Sequence, residues 1–176
     1  MSISNIVRSK YAVIIVLIVA IFCWIGVGWQ YFLIREESSQ ESPEPESILV
    51  KLYYYNQEEA EEIGDLCSPE AVMPVERKIS ASPNPIRDTI RYLIQGELTA
   101  VEREQGFSTE FPHPDFKLTG TNLKDGVLSL EFTEVPGFTS GGSCRIGILR
   151  AQIEKTAKQF PIVKEVSIQP ESLFQP

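Results

Sequence analysis

The sequence predicts an α+β domain with a mixed sheet of four to five strands and two helices, in the order β-β-α-β-β-α-β, preceded by one transmembrane helix. Three observations predict this class: a long uncharged apolar run, short β-rich segments separated by turn signals, and two segments with apolar residues at helical spacing. The 176 residues suffice for one ordinary domain and an appendage. The apolar run is therefore a unit separate from the domain.

Residues 11–34 form the apolar run, YAVIIVLIVAIFCWIGVGWQYFLI. At about 1.5 Å per residue, a helix of this length crosses a hydrocarbon core of about 30 Å. Arg8 and Lys10 precede the run, whereas Glu36 follows it closely, so the positive-inside rule places the tail 1–10 in the cytoplasm and the rest outside. A cleaved signal peptide is the alternative, but its apolar region spans about 7–15 residues and ends in small residues. The run favours an uncleaved signal-anchor.

Residues 35–47 separate the anchor from the domain. The segment contains five Glu and two Pro and no large apolar side chain. Such a composition cannot bury a core, so the segment is predicted to be an acidic flexible stalk. Its negative charge should repel anionic headgroups and hold the following domain, 48–170, off the bilayer. Residues 171–176 are assigned to a C-terminal tail.

The first predicted strand is 48–55, ILVKLYYY, which is rich in β-forming residues. Successive side chains of a strand point to opposite faces, so Tyr53, Tyr54 and Tyr55 cannot all be buried on one side. Tyr53 and Tyr55 therefore form a candidate partner surface.

The second strand and the first helix follow. Residues 72–79 are β-rich, and Pro74 places this strand at an edge or at a bulge. Asn84 as N-cap and Pro85 at the first helical position begin a helix, and Gly96 ends it. The helix should pack on the sheet through its apolar face.

The second half contains a hairpin, a helix and a last strand. Residues 97–115 are a long connection with no predicted element. The strands 116–123 and 127–132 flank a Lys-Asp-Gly turn signal. An amphipathic helix is predicted over 143–160, and the strand 163–168 follows the proline that stops it. Both helices are expected to cover the sheet.

The three cysteines divide between compartments. Cys23 falls within the membrane run, while Cys67 and Cys144 lie on the oxidising side and predict a disulfide that contributes about 2–5 kcal/mol. The alternative is a nucleophilic Cys144 at a helix start, where the helix dipole lowers a thiol pKa. Such a hydrolase also needs a base, for which His113 is the single histidine available. The compartment favours the disulfide.

Composition excludes several other classes. The net charge of -8 argues against nucleic-acid binding, which needs a clustered basic face. One histidine and three cysteines cannot supply a multi-histidine or four-cysteine zinc site. The acidic run 57–65 lacks the EF-hand pattern, and the glycine pair before Cys144 lacks the lysine of a P-loop. We therefore expect no metal, no cofactor and no catalytic residue.

The order of the segments resembles that of the GerMN (sporulation and spore germination) domain. The resemblance lies in VKLYYY, MPVERKI, LIQGEL and, most specifically, GGSCRIGILRAQIEKTAKQFPIVKEVSI, and it covers about 50–170. It implies a bacterial envelope protein without assigned catalytic residues, and a fold similar to small α/β ring-building modules.

The sequence thus predicts a single-pass membrane protein that presents a non-catalytic binding or assembly module outside the cytoplasm. Its expected partners are other envelope proteins or the cell wall, with the membrane contacted through one helix and no nucleic acid bound. The alternatives are a cell-wall-modifying enzyme that uses Cys144 and a module that binds peptidoglycan or polysaccharide.

Overall fold

The computed structural model describes Trp29 and residues 46–174. The chain divides into two units, Met1–Glu44 and Pro45–Pro176, of which the second contains the domain. The predicted cytoplasmic tail, the membrane segment apart from Trp29 and nearly all of the acidic stalk lie outside the described residues. Within the described part of the chain, no helix is both long enough and apolar enough to cross a bilayer.

Residues 46–174 contain six strands and four α-helices, with a short 3-10 helix at Pro69–Ala71. In chain order they are β1 (Ser47–Asn56), α1 (Gln57–Ile63), β2 (Val72–Ser80), α2 (Pro85–Ile94), α3 (Ala100–Glu104), β3 (Phe107–Ser108), β4 (Leu118–Lys124), β5 (Val127–Phe132), α4 (Ser143–Lys158) and β6 (Glu165–Gln169). The α+β class and the order of the main elements agree with the sequence prediction.

The prediction of one mixed sheet is wrong, because the described strands form two three-stranded sheets. The first has the order β2-β1-β3 and is antiparallel throughout, with β2 at an edge as Pro74 indicated. The second has the order β4-β5-β6, with β4 antiparallel and β6 parallel to β5.

Side chains of α4 and of its C-cap residue, Gln159, explain why the first sheet does not continue into the second. β3 pairs only with the last two residues of β1. Along the rest of this edge, backbone groups of β1 form hydrogen bonds with side chains at the C-terminal end of α4. The Tyr53 N–H donates to Thr156 Oγ1 at 3.0 Å, and the Lys51 N–H donates to Gln159 Oε1 at 2.8 Å. Gln159 Nε2 donates back to the Lys51 carbonyl at 2.6 Å. Since these backbone groups are satisfied by a helix, no further strand pairs there.

One hydrophobic core joins both sheets and the two longer helices. Its fully buried members include Leu52 and Tyr54 of β1, Leu130 of β5 and Ile153 of α4. The core also takes in Leu173 and Phe174, which belong to the segment assigned to the C-terminal tail; both side chains are buried.

The connection 97–115 contains two elements that the sequence pattern did not predict, α3 and β3. A capping box starts α3: Thr99 Oγ1 accepts from the Glu102 N–H, and the Glu102 carboxylate accepts from the Thr99 N–H. The two-residue β3 pairs with Tyr55 and Asn56. Both elements are too short to show a hydrophobic period.

Glu102 also closes a bidentate ion pair with Arg77 of β2. Arg77 Nη1 and Nη2 donate to the two carboxylate oxygens, each at 2.6 Å. These hydrogen bonds lower the pKa of Glu102 to about 2. The pair ties α3 to the first sheet.

We expect Glu102→Gln to lower the free energy of unfolding at neutral pH by about 1–3 kcal/mol, since a charge-assisted bidentate contact is lost. Because the folded-state pKa lies below the unfolded one, the contribution is complete above an unfolded pKa of about 4.5 and is lost as pH falls toward about 2. Urea denaturation at neutral pH and at about pH 3 should therefore show a smaller pH effect in the variant. Glu104→Gln, an exposed residue of the same helix, is the control and should match the parent.

Candidate functional site

The three consecutive tyrosines of β1 alternate between faces. Tyr54 is fully buried, and its hydroxyl donates to the Leu93 carbonyl at 3.3 Å. Burial raises its pKa. Tyr53 and Tyr55 point the other way and are half-buried. The candidate residues thus share the accessible face of the strand.

A groove of about 360 Å³ lies beside Tyr55, between the edge of the first sheet and α4. We call it the tyrosine groove, defined by Tyr55, Leu66, Ser108, Thr109, Glu110, Arg145, Ile148, Leu149 and Gln152. Leu66 is 58% exposed although it is a large apolar residue. Burying such a side chain against a partner is favourable, so the groove has the character of a binding surface.

The two cysteines of the predicted disulfide are each next in sequence to a residue that lines this groove. Cys67 and Cys144 are joined as a disulfide, with Cα atoms 4.9 Å apart, and both residues are exposed. Their neighbours Leu66 and Arg145 both line the groove. The Tyr55 hydroxyl adds a second restraint by donating to the Leu66 carbonyl at 3.1 Å. The bridge and this hydrogen bond together hold the Leu66 loop against α4.

Arg145 forms the polar rim of the groove and is engaged by four acceptors or rings. Its Nε donates to Glu110 Oε2 at 2.8 Å, while Nη1 donates to the carbonyls of Phe138 at 3.0 Å and Ser140 at 3.1 Å. The guanidinium carbon lies 5.7 Å from the centre of the Phe138 ring. Arg145 therefore fixes the rim instead of acting as a free cation.

The groups of the alternative thiol chemistry are used structurally. Cys144 carries no thiolate while its sulfur is bonded to Cys67. The His113 ring stacks on Phe138 with centroids 4.7 Å apart, and its Nδ1 accepts from the Asp115 N–H at 3.3 Å. The described residues contain no group of three or more acidic, histidine or cysteine side chains placed to hold a metal ion. The arrangement offers a shaped surface, and Cys144 is not a nucleophile while the disulfide is formed.

Tyr53 does not line the tyrosine groove. It borders a separate shallow depression of about 340 Å³ with Lys155, Lys158 and Gln159. Of the two candidate tyrosines, Tyr55 lines the groove, and the sequence pattern did not single out Leu66 or Ile148, which also line it. One signal in the sequence could have indicated Leu66. It directly precedes Cys67, and a large apolar residue beside an exposed disulfide is held at the surface by the bridge.

The fold and the groove define a small α+β domain with a disulfide-restrained surface cleft. The family model "Germane: Sporulation and spore germination" matches residues 51–172. The chain therefore belongs to this GerMN-like family, which confirms the resemblance drawn from the sequence.

Two solved structures are similar to the chain. The tandem GerMN domains of the sporulation protein GerM from Bacillus subtilis share 21% identity at a TM-score of 0.47, covering 72% of this chain and 41% of that one. A Clostridium perfringens protein described as a "Putative Lipoprotein" shares 17% identity at a TM-score of 0.37, covering 69% of this chain and 73% of that one. The chain thus spans less than half of the GerM structure. No curated protein sequence matches the chain.

Proposed function

We propose that the chain is a single-pass protein of the bacterial cell membrane whose extracytoplasmic domain is a non-catalytic binding module for assembling envelope protein complexes. The tyrosine groove is its contact surface. The anchor is the apolar run 11–34, and the acidic stalk spaces the domain from the bilayer. Anchoring confines the domain to a thin layer, which raises its effective concentration for neighbouring partners.

One observation carries this proposal: an exposed leucine lies in a cleft whose walls are fixed before any partner arrives. Leu66 is 58% exposed, and its loop is restrained by both the Cys67–Cys144 bridge and the Tyr55 hydroxyl. A pre-organised surface loses little conformational entropy on binding, so its contact area is converted into affinity more fully. Binding a protein segment uses these features, whereas the alternative hydrolysis would require Cys144 as a free thiolate.

We expect Leu66→Ser to weaken site-specific photo-crosslinking of the chain to an envelope protein by about tenfold. The substitution removes an apolar contact at the groove, and its effect on stability should stay within about 0.5 kcal/mol because the side chain is exposed. A photo-reactive residue at Ile148 in the native membrane would report the contact as a crosslinked band of defined mass.

Val101 supplies the matched control, since it is 60% exposed and lies on α3 outside the groove. Val101→Ser should leave the band unchanged, and a photo-reactive residue at Val101 should not produce it. Equal bands from both positions would contradict the groove as the contact surface. Recovery of the chain outside the membrane fraction would contradict the anchor, and retention on isolated cell wall without protein crosslinks would favour the polysaccharide-binding alternative.

A further inference from the structure

A further cavity lies between α2 and the β4 strand. It has a volume of about 230 Å³ and is lined by Asn84, Arg87 and Arg91 from the helix side, with the backbone and side chains of 118–121 opposite. Arg87 and Arg91 are four residues apart on α2, so they lie on the same face of the helix. The cavity is basic in a chain whose net charge is -8.

Two polar atoms in this cavity have unused hydrogen-bonding capacity. Among the described residues, Arg87 Nε and Thr121 Oγ1 are the buried side-chain atoms that lack a hydrogen-bond partner, and both residues line the cavity. Burying a polar group without a partner is unfavourable. A polar ligand bound at this place would supply a partner to both atoms.

The remaining polar groups leave the site open to an anion. Neither Arg91 nor the Asn84 side chain has a hydrogen bond or ion pair within the described residues, and Asn84 does not cap its own helix. Two carboxylates are near. Asp88 lies 3.7 Å from Arg87 Nε and accepts from the Ser82 hydroxyl.

The second carboxylate belongs to Glu131 of β5, which pairs with Gly120 of β4. The Glu131 side chain lies over the Gly120 backbone. Thr121 pairs with the buried Leu130, so the hydroxyl of Thr121 points to the opposite face of the sheet from Glu131. The cavity therefore retains a net basic lining on the side where the unpartnered atoms lie.

An apolar cavity of about 280 Å³ adjoins the basic one and shares Asn84, Arg87 and Thr121 with it. Its other walls include Ile86, Leu123 and Phe160, together with Ile162, which is 60% exposed. A ligand that placed a charged oxygen group against the arginines would lay any attached chain along this apolar wall.

We propose that this pair of cavities binds an oxyanion, a phosphate or a carboxylate, that is joined to a short apolar chain. Arg91 and Arg87 bind the anion, with Arg87 Nε and the Thr121 hydroxyl directed at its oxygens. Guanidinium groups bind both oxyanions through charge-assisted hydrogen bonds. The apolar chain buries against Phe160 and Ile162. This site is separate from the tyrosine groove and does not depend on the function proposed for it.

Isothermal titration of the full chain in lipid nanodiscs tests the site with five soluble probes: inorganic phosphate, butyl phosphate, acetate, pentanoate and butanol. We expect butyl phosphate or pentanoate to bind about tenfold more tightly than the corresponding anion without a chain, and butanol not to bind. The stronger of the two alkyl anions identifies the site as one for phosphate esters or for carboxylates.

The variants assign the binding to these residues. Arg91→Gln and Arg87→Gln should each weaken the alkyl anion about tenfold, and Thr121→Val, which keeps the side-chain shape, should weaken it several-fold. Arg103→Gln is the matched control, because Arg103 is exposed and its side chain has no partner among the described residues. The proposal would be overturned if Arg103→Gln reduced binding as much as Arg91→Gln does. It would also be overturned if none of the anions bound at millimolar concentration.

Discussion

Replacement of Cys67 or Cys144 by serine is expected to lower the free energy of unfolding of the domain by about 2–5 kcal/mol. The bridge joins residues separated by 77 positions, so its loss releases a long loop in the unfolded chain. Both cysteines are exposed, which makes the bridge accessible to a reducing agent. Urea denaturation of the parent and of the serine variants, with and without reductant, measures the effect. The oxidised parent should unfold at a higher urea concentration than the reduced parent or either variant.

The double variant Cys67→Ala, Cys144→Ala serves as the control for this prediction. It should unfold at the same urea concentration as the reduced parent, because both lack the covalent restraint. Thiol titration of the folded parent should detect neither Cys67 nor Cys144. A reactive thiol at Cys144 in the native chain, with stability unchanged by reductant, would refute the bridge and restore the alternative of a cysteine nucleophile.

The effect should also reach the tyrosine groove. The bridge links the residue after Leu66 to the residue before Arg145, and Leu66 and Arg145 both line the groove. In the reduced chain the bridge no longer holds the Leu66 loop. Of the two restraints described above, the hydrogen bond from the Tyr55 hydroxyl to the Leu66 carbonyl then remains. Photo-crosslinking from Ile148 should therefore weaken under reducing conditions even where the domain stays folded.

The local patterns of the sequence were sufficient to find the main elements. Alternation separated the buried Tyr54 from Tyr53 and Tyr55, and the Asp-Gly signal placed the hairpin turn, where Asp125 and Gly126 both have positive φ. These features depend on neighbours within a few residues. The sequence predicted Cys67 and Cys144 as disulfide partners because they are the two cysteines outside the predicted membrane run.

The features that the sequence did not predict depend on distant residues. The division into two sheets results from Thr156 and Gln159, which bond to β1 across 103 and 108 positions of sequence. Gln152 of α4 is polar, yet its side chain is buried. The Thr109 hydroxyl donates to Gln152 Oε1 and so satisfies this oxygen within the core. Sequence periodicity does not indicate such pairs. For the same reason, neither the tyrosine groove nor the basic cavity beside α2 could be predicted from the sequence.

The substitution Gly96→Ala is expected to lower the free energy of unfolding by at least about 3 kcal/mol. Gly96 ends α2 with a φ of +64°, a conformation that costs an L-residue energy. A Cβ atom there would also lie 2.0 Å from the Phe111 carbonyl oxygen and 2.2 Å from its carbon. These are backbone atoms, so the strain cannot be relieved by a rotamer change. Urea denaturation measures the loss.

Two other glycines separate the causes of this loss. Gly64 has a φ of +78° with nothing within 4 Å of its Cβ position, so Gly64→Ala should cost about 1 kcal/mol from backbone conformation alone. Gly147 lies within α4 in open space, so Gly147→Ala should stabilise the domain by about 0.5–1 kcal/mol. Equal costs at Gly96 and Gly64 would show that the Phe111 backbone moves away freely.

Such movement should not be free, because Phe111 belongs to an aromatic cluster that reaches the groove. Its ring lies 5.8 Å from Phe116 and 6.0 Å from Phe138, measured between centroids. The Phe138 carbonyl in turn accepts from Arg145 at the groove rim. A displaced Phe111 must therefore disturb close-packed rings, whose packing tolerates little change in volume. We accordingly expect Gly96→Ala to weaken crosslinking from Ile148 as well as stability, whereas Gly64→Ala should leave crosslinking from Ile148 intact.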